Sequence, residues 1–320
     1  MDLNNKLKGI PKIYYFNLDE RVDRKDYTES QYDYYEIKNY VRHSTSKFQY
    51  HNFDEWKDRL ILNDIQDSPR PKAHIVECAI TLSYFDFFKN WLETTDEDLI
   101  LLMEDDYDLS YIDYWHFDWE YLMNNIPFDW DCIQLSFENN TIIPCFLHPV
   151  YTDHCMGASL LNRRYVEKII KVMTVDGKFD LTKRICNSRW AQKNSNPALE
   201  NNKWRHPNMS FDYVMGHCGK TYCLPLITQS NTIGSYSQNL LRKDDFPALH
   251  FTSRAVKLWW TKFRDKFSLE DFFMYGKHND FFITDKNIDR FETIFTSLDN
   301  SRKIINDNKT KLNNFSYNKD

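Results

Sequence analysis

Apolar side chains fall along this chain in two rhythms. In "KIYYFNLDERVDR" an apolar and aromatic run from Ile13 to Leu18 predicts a buried strand, and Leu99–Met103 in "LILLMEDD" predicts a second. Positions 132–137 of "DWDCIQLSFE" predict a third. Between them the rhythm changes. Val76, Ala79, Ile80, Ser83, Phe87, Trp91 and Leu92 recur at helical spacing, so positions 75–92 predict a helix beginning near His74. The polar turn "TTDED" then leads into the strand at 99. A strand near 155–161 is followed by a helix whose apolar face carries Val166, Ile169, Ile170 and Met173. "DYVMGHCGKTYC" predicts a short helix and a strand near 221–224. The tyrosine-rich stretch 26–40 suits a helix, and "FQYHNF" at 48–53 a short strand.

Helix, turn and buried strand in succession imply an α/β fold with a mainly parallel sheet flanked by helices, placed here in residues 1–237. From about 235 the chain becomes charged and helix-like, with aromatic clusters "LWW" and "DFFMY". Residues 238–320 are therefore expected to form a mostly helical C-terminal extension. The segment after Asn306, rich in Asn and Lys, suits a frayed end.

Composition narrows the function classes. The chain has 320 residues, 42% hydrophobic and 16% aromatic, enough for a sizeable core. Seven glycines are too few for a Gly-rich phosphate loop, and neither a Walker nor a dinucleotide fingerprint occurs. Any phosphate must be held by side chains, isolated amides or a metal. A net charge of −6 without a basic run gives no nucleic-acid footprint. "MDLNNKLKGIPK" lacks an apolar leader, and no apolar stretch reaches the ~18 residues of a membrane span, so a cytoplasmic protein without a membrane span is expected. Seven scattered cysteines read as reduced thiols, mostly in the core. His217, Cys218 and Cys223 lack the second pair that a zinc site needs.

The candidate chemistry lies where Leu99–Met103 runs into Glu104, Asp105 and Asp106. Carboxylates this close disfavour one another's ionisation unless a cation or donors compensate. Either the strand ends in solvent, or the acids hold a divalent cation, which binds carboxylate oxygen and completes its shell with substrate phosphate. Ligands of open α/β sheets bind beyond the carboxyl ends of the strands. Asp19, Arg21 and Arg24 follow the first strand, and the acids follow the central one. Arginine grips phosphate bidentately and a metal bridges it, so together the two clusters suit a diphosphate.

Five segments, in order, resemble glycosyltransferase family 25, the lipooligosaccharide and collagen-type galactosyltransferases. "YYFNLDERVDR" is similar to the family's opening strand and Asn-Leu-Asp-x-Arg-x-Asp-Arg turn. "ECAITLSYFDFFKNW" resembles its Gly-Cys-x-x-Ser-His helix, with Ala79 to Leu82 in the middle and Tyr84 in place of the His. "LILLMEDD" resembles its Glu-Asp-Asp form of the metal-binding DxD motif. "HCMGASLLNRRYVEKII" resembles the next strand and helix, and "FDYVM" with "YCLPLITQSNTIGS" resembles the segment carrying an acid, Pro-x-x-x-Gln and Ser.

The resemblance covers roughly residues 11–237. It implies a GT-A fold that binds a UDP-sugar donor with Mn²⁺ or Mg²⁺ and transfers a hexose, with inversion, to a glycan, protein or other hydroxyl acceptor. It implies Asp106 as metal ligand, Glu104 as second acid on the metal or the ribose, and Asp105 in support. Asp19 belongs to the first turn of the donor site. Arg21 and Arg24 contact nucleotide or phosphates, or else pair with Asp19 or Asp23. Asn17 binds the base, or else caps the strand. Gln229 and Ser230 line the pocket. Asp212 is the general base that an inverting transfer requires, or an acid favoured at a helix start. His250 closes on the metal, or is structural. The extension could serve a homodimer. Two other classes remain open: a binding protein of the same fold without turnover, and a metal-dependent phosphohydrolase.

Overall fold

A computed structural model of the chain describes residues 6–62, 65, 71–136, 147–149, 157–182, 210–230, 233, 256–257, 259–266 and 268–273. The elements in chain order are β1 (Ile13–Asn17), α1 (Val22–Tyr34), β2 (Tyr40–Ser44), β3 (Leu60–Ile61), α2 (Pro71–Thr94), β4 (Leu99–Glu104) and β5 (Tyr107–Asp108). There follow α3 (Trp119–Asn125), β6 (Cys132–Gln134), β7 (His148–Pro149), β8 (Ala158–Asn162) and α4 (Arg163–Met173). The remainder are β9 (Thr174–Val175), β10 (Lys178–Asp180), α5 (Phe211–His217), β11 (Thr221–Cys223) and β12 (Thr228–Gln229).

Among the described residues the central sheet has seven strands in the order β2-β1-β4-β8-β6-β11-β7. β1 pairs in parallel with β2 and β4, and β6 with β11. β8 runs antiparallel between β4 and β6, and β7 is antiparallel to β11. The protein is thus mixed α/β, with a mostly parallel sheet between helices. Phe16 lies opposite Glu104 across β1 and β4. This register sets the carboxyl ends of the two strands level and brings Asn17 beside the acids.

Side-chain alternation divides the core. Tyr15, Leu101 and Met103 face a cluster with Tyr32, Trp115 and Phe117. Tyr14, Phe16, Ile100 and Leu102 face another with Phe85 and Phe88 of α2, Val166 and Ile169 of α4, and Phe211 of α5. With both faces covered, β4 is apolar at successive positions instead of alternating. In α4, Asn162 accepts from the Tyr165 amide at 2.8 Å as an N-cap, and Tyr165, Val166, Ile169 and Met173 form the buried stripe.

Residues 48–53 are not a strand. Tyr50–Asn52 form a 3₁₀ turn and Phe53–Trp56 a single helical turn. Gln49 and Asn52 cap one another, and the Trp56 indole donates to Gln49 O and Asn52 Oδ1, both at 3.0 Å. These local bonds prevail over the aromatic alternation. The edge strand is Tyr40–Ser44, half-exposed along its length.

Of residues 238–320, the structure describes part of 256–273. Val256, Trp259, Trp260, Phe272 and Phe273 join the same core cluster as Tyr15 and Leu101, and Trp260 Nε1 donates to Pro225 O at 2.9 Å. Cys78, Cys132 and Cys218 are buried free thiols, and Cys223 is buried in the core. Among the described residues no helix is long and apolar enough to cross a membrane.

Candidate functional site

A cavity of about 340 Å³ opens where β1 and β4 end. Its lining includes Asn17, Arg21, Arg24, Glu104 and Asp105 from the strand ends and α1. It also includes Phe48, Gln49, Tyr50 and His51 around the capped turn, and Lys72, Val76, Ala79 and Ile80 from α2. Lys72, near the start of α2, lies over the Tyr50 ring at 5.0 Å. The cavity therefore combines charged groups with apolar and aromatic surface.

The acids are held from α1. Arg24 donates to Asp105 Oδ1 at 2.6 Å and to Asp106 Oδ2 at 2.9 Å, and all three residues are buried. Thr28, one turn on, donates to the Asp105 carbonyl at 2.9 Å. Asn17 Nδ2 donates to Asp105 Oδ2 at 2.7 Å and to Arg21 O at 3.1 Å, while its Oδ1 accepts from Arg42 at 2.8 Å. Asp105 thus has both carboxylate oxygens engaged within the protein. A base contact from Asn17 would have to displace one of its existing partners.

Asp106 and Glu104 differ. Asp106 Oδ1 is buried and has no hydrogen-bond partner. Burial raises the Asp106 pKa, Arg24 opposes that, and Asp105 adds to it. Glu104 accepts from the Tyr84 hydroxyl at 2.9 Å, and its amide donates to Gly157 O at 2.8 Å. Burial first, then the negative charges of Asp106 and Asp212, push the Glu104 carboxyl up to about 8. Among the described residues, Arg24 pairs with Asp105 and Asp106, and Glu104 is held by the Tyr84 hydroxyl.

Among the described residues no group of three or more His, Cys, Asp and Glu side chains is arranged to hold a metal. The donor set suits a cation that takes one or two carboxylates and fills its shell with water and phosphate oxygen, as Mg²⁺ does, and not one needing an all-protein cage. The unpartnered Asp106 oxygen is the observation behind that fit.

The other predicted residues are placed as follows. Asp212 lies in the first turn of α5, close enough to raise the Glu104 pKa. Asp19 is exposed and accepts from Arg42 at 2.6 Å and Ser44 at 2.8 Å, which hold its carboxyl below the usual range. Arg21 lines the cavity and pairs with Asp23 through Nε at 2.9 Å and Nη2 at 2.8 Å. Gln229 pairs with Tyr107 in the β12–β5 ribbon, and the next amide, Ser230 N, donates to Asp106 O at 2.6 Å. His250 lies outside the described residues.

Sequence reasoning missed four contributors: the Tyr84 hydroxyl, Gly157, Thr28 and the Lys72–Tyr50 pair. Tyr84 carried a signal as the residue in place of the motif's His, whereas Thr28 lies on a buried α1 stripe, Arg24, Thr28 and Tyr32, in which two of three positions are polar. Compared with known proteins, the chain matches no family model, and no curated protein is significantly similar to it.

Proposed function

We propose that this protein is a metal-dependent GT-A glycosyltransferase that moves a hexose from a UDP-sugar to a hydroxyl acceptor. The observation that carries the reading is the buried Asp106 carboxylate oxygen without a partner, just beyond a central strand whose last residue, Glu104, lines the cavity together with Asp105.

Asp106 and Glu104 are the residues to hold the cation, which when bound neutralises charge on the departing diphosphate. Burial and the neighbouring acids favour the protonated form of Glu104, and cation binding must displace that proton. Arg24 keeps Asp105 and Asp106 fixed in one geometry. Arg21 is positioned at the cavity to meet phosphate oxygen in exchange for exposed Asp23. Phe48, Tyr50 and Ile80 in the cavity lining offer a planar base an apolar seat. Asp212 stands near enough to the acids to take the proton of an acceptor hydroxyl, the step an inverting transfer needs from the protein.

One observation favours a second reading, a binding protein without turnover: Arg24 already pairs with two of the three acids. UDP release from UDP-galactose and UDP-glucose with Mn²⁺, in wild type and Asp106→Asn, separates the two. Slow metal-dependent release lost in the variant is expected. Binding without release under any condition supports the second reading, and neither binding nor release overturns both.

A further inference from the structure

Tyr84 stands where three parts of the site meet. It belongs to α2, yet its buried ring lies 3.8 Å from the Phe211 ring at an interplanar angle of 3°, and 4.4 Å from the Phe16 ring. Phe211 opens α5, and the next residue is Asp212. Phe16 precedes Asn17 at the end of β1. The hydroxyl of the same side chain donates to Glu104 Oε1.

A buried tyrosine needs an acceptor for its hydroxyl, and a backbone carbonyl would serve. Here the acceptor is the cavity-lining carboxylate of Glu104. The acids Asp106, Asp212 and Asp105 act against the charge on that carboxylate, and the Tyr84 hydroxyl opposes them. On its other side the side chain is confined by Gly157, where an added Cβ would stand 2.6 Å from Glu104 Cδ.

We propose that Tyr84 is a positioning residue, which fixes the Glu104 carboxylate toward the cation while its ring sets α5, and with it Asp212, against the same strand ends. The proposal rests on the transferase reading above. Groups of this kind that orient a metal-binding carboxylate typically alter metal affinity roughly 10–100-fold when removed. Tyr84→Phe is the suitable variant, because it keeps both ring contacts and deletes only the hydroxyl.

Two measurements on the full chain test it. In metal-free protein, the thermal midpoints of Tyr84→Phe, Glu104→Ala and the double variant form a cycle. Tyr84→Phe should lower the midpoint in the wild-type background and leave it unchanged or raised in the Glu104→Ala background. Equal effects in both backgrounds overturn the contact. Titration of MnCl₂ in the presence of UDP should show affinity reduced at least about tenfold in Tyr84→Phe. Affinity equal to wild type overturns the positioning role and leaves the transferase reading intact. Failure of the wild type itself to bind Mn²⁺ with UDP overturns that reading, and with it the role of Tyr84.

Discussion

Arg24 lies 2.6 Å from Asp105, 81 positions further along the chain, and both side chains are buried. The same guanidinium reaches Asp106, so one cation from α1 brackets two acids at the end of β4. Removing it would leave two carboxylates buried without their counter-ion. Arg24→Ala should therefore lose about 3–5 kcal/mol of stability at neutral pH, measured by urea unfolding. The loss should shrink in acid, where Asp106, whose pKa burial raises, can protonate.

The pH dependence of Glu104 has the reverse of the usual carboxylate sign. Its folded pKa is raised to about 8, above the ordinary 4.5. Between those values the folded state binds the proton that the unfolded state has released, so this group's contribution to stability falls as pH rises from about 4.5 to about 8. Below that window it contributes nothing, and above it the penalty is complete. Glu104→Gln should remove the penalty, so the metal-free variant should melt above wild type at pH 8 and alongside it at pH 4. Midpoints across pH, compared between the two proteins, check this. Millimolar Mg²⁺ should narrow the gap by favouring the ionised wild-type carboxylate.

Much of the sheet was legible, and for a definite reason. Residues 99–103 are apolar at successive positions because β4 is covered on both faces, and α4 shows its buried stripe as apolar residues at helical spacing. The stripe of α1 is Arg24, Thr28 and Tyr32, polar in two of its three positions, so hydrophobic periodicity gives no sign of it. The edge strand Tyr40–Ser44 is half-exposed and carries no apolar run, whereas aromatic residues at 48–53 imitate one. The acids stood out in sequence. Arg24, Asn17 and Tyr84 stood out as well, but their pairing with the acids did not, because they meet them only through the register of β1 with β4 and the packing of α2.

Gly157 offers a separate test of the site. Its Cβ position falls 2.6–2.9 Å from the Cδ, Oε2 and Cγ atoms of Glu104, the mobile end of a long side chain. Gly157→Ala should be accommodated by moving Glu104, at a cost in stability of about 1–3 kcal/mol. Nucleotide-dependent cation binding, followed by titration, should fall much further than stability does.

The segment at 256–273 should matter to the whole fold. Trp260 is fully buried against Phe117 and Phe272 and bonded to Pro225 O. Trp260→Ala should cost about 3–5 kcal/mol in chemical denaturation. A chain ending at residue 237 should unfold at lower denaturant than the full chain, having lost this packing.

The central claim is that the acid cluster at the end of β4 holds a cation and, through it, a nucleotide diphosphate. The most direct measurement is the thermal midpoint with UDP, with MnCl₂ and with both, for wild type and Asp106→Asn, since a ligand that binds only the folded state raises the midpoint. UDP and MnCl₂ together should raise the midpoint by more than the sum of their separate effects, and this rise should be absent in the variant. A midpoint unmoved by UDP at any Mn²⁺ concentration, with Asp106→Asn behaving as wild type, would show that Arg24 alone satisfies these acids and that they end a strand and bind nothing.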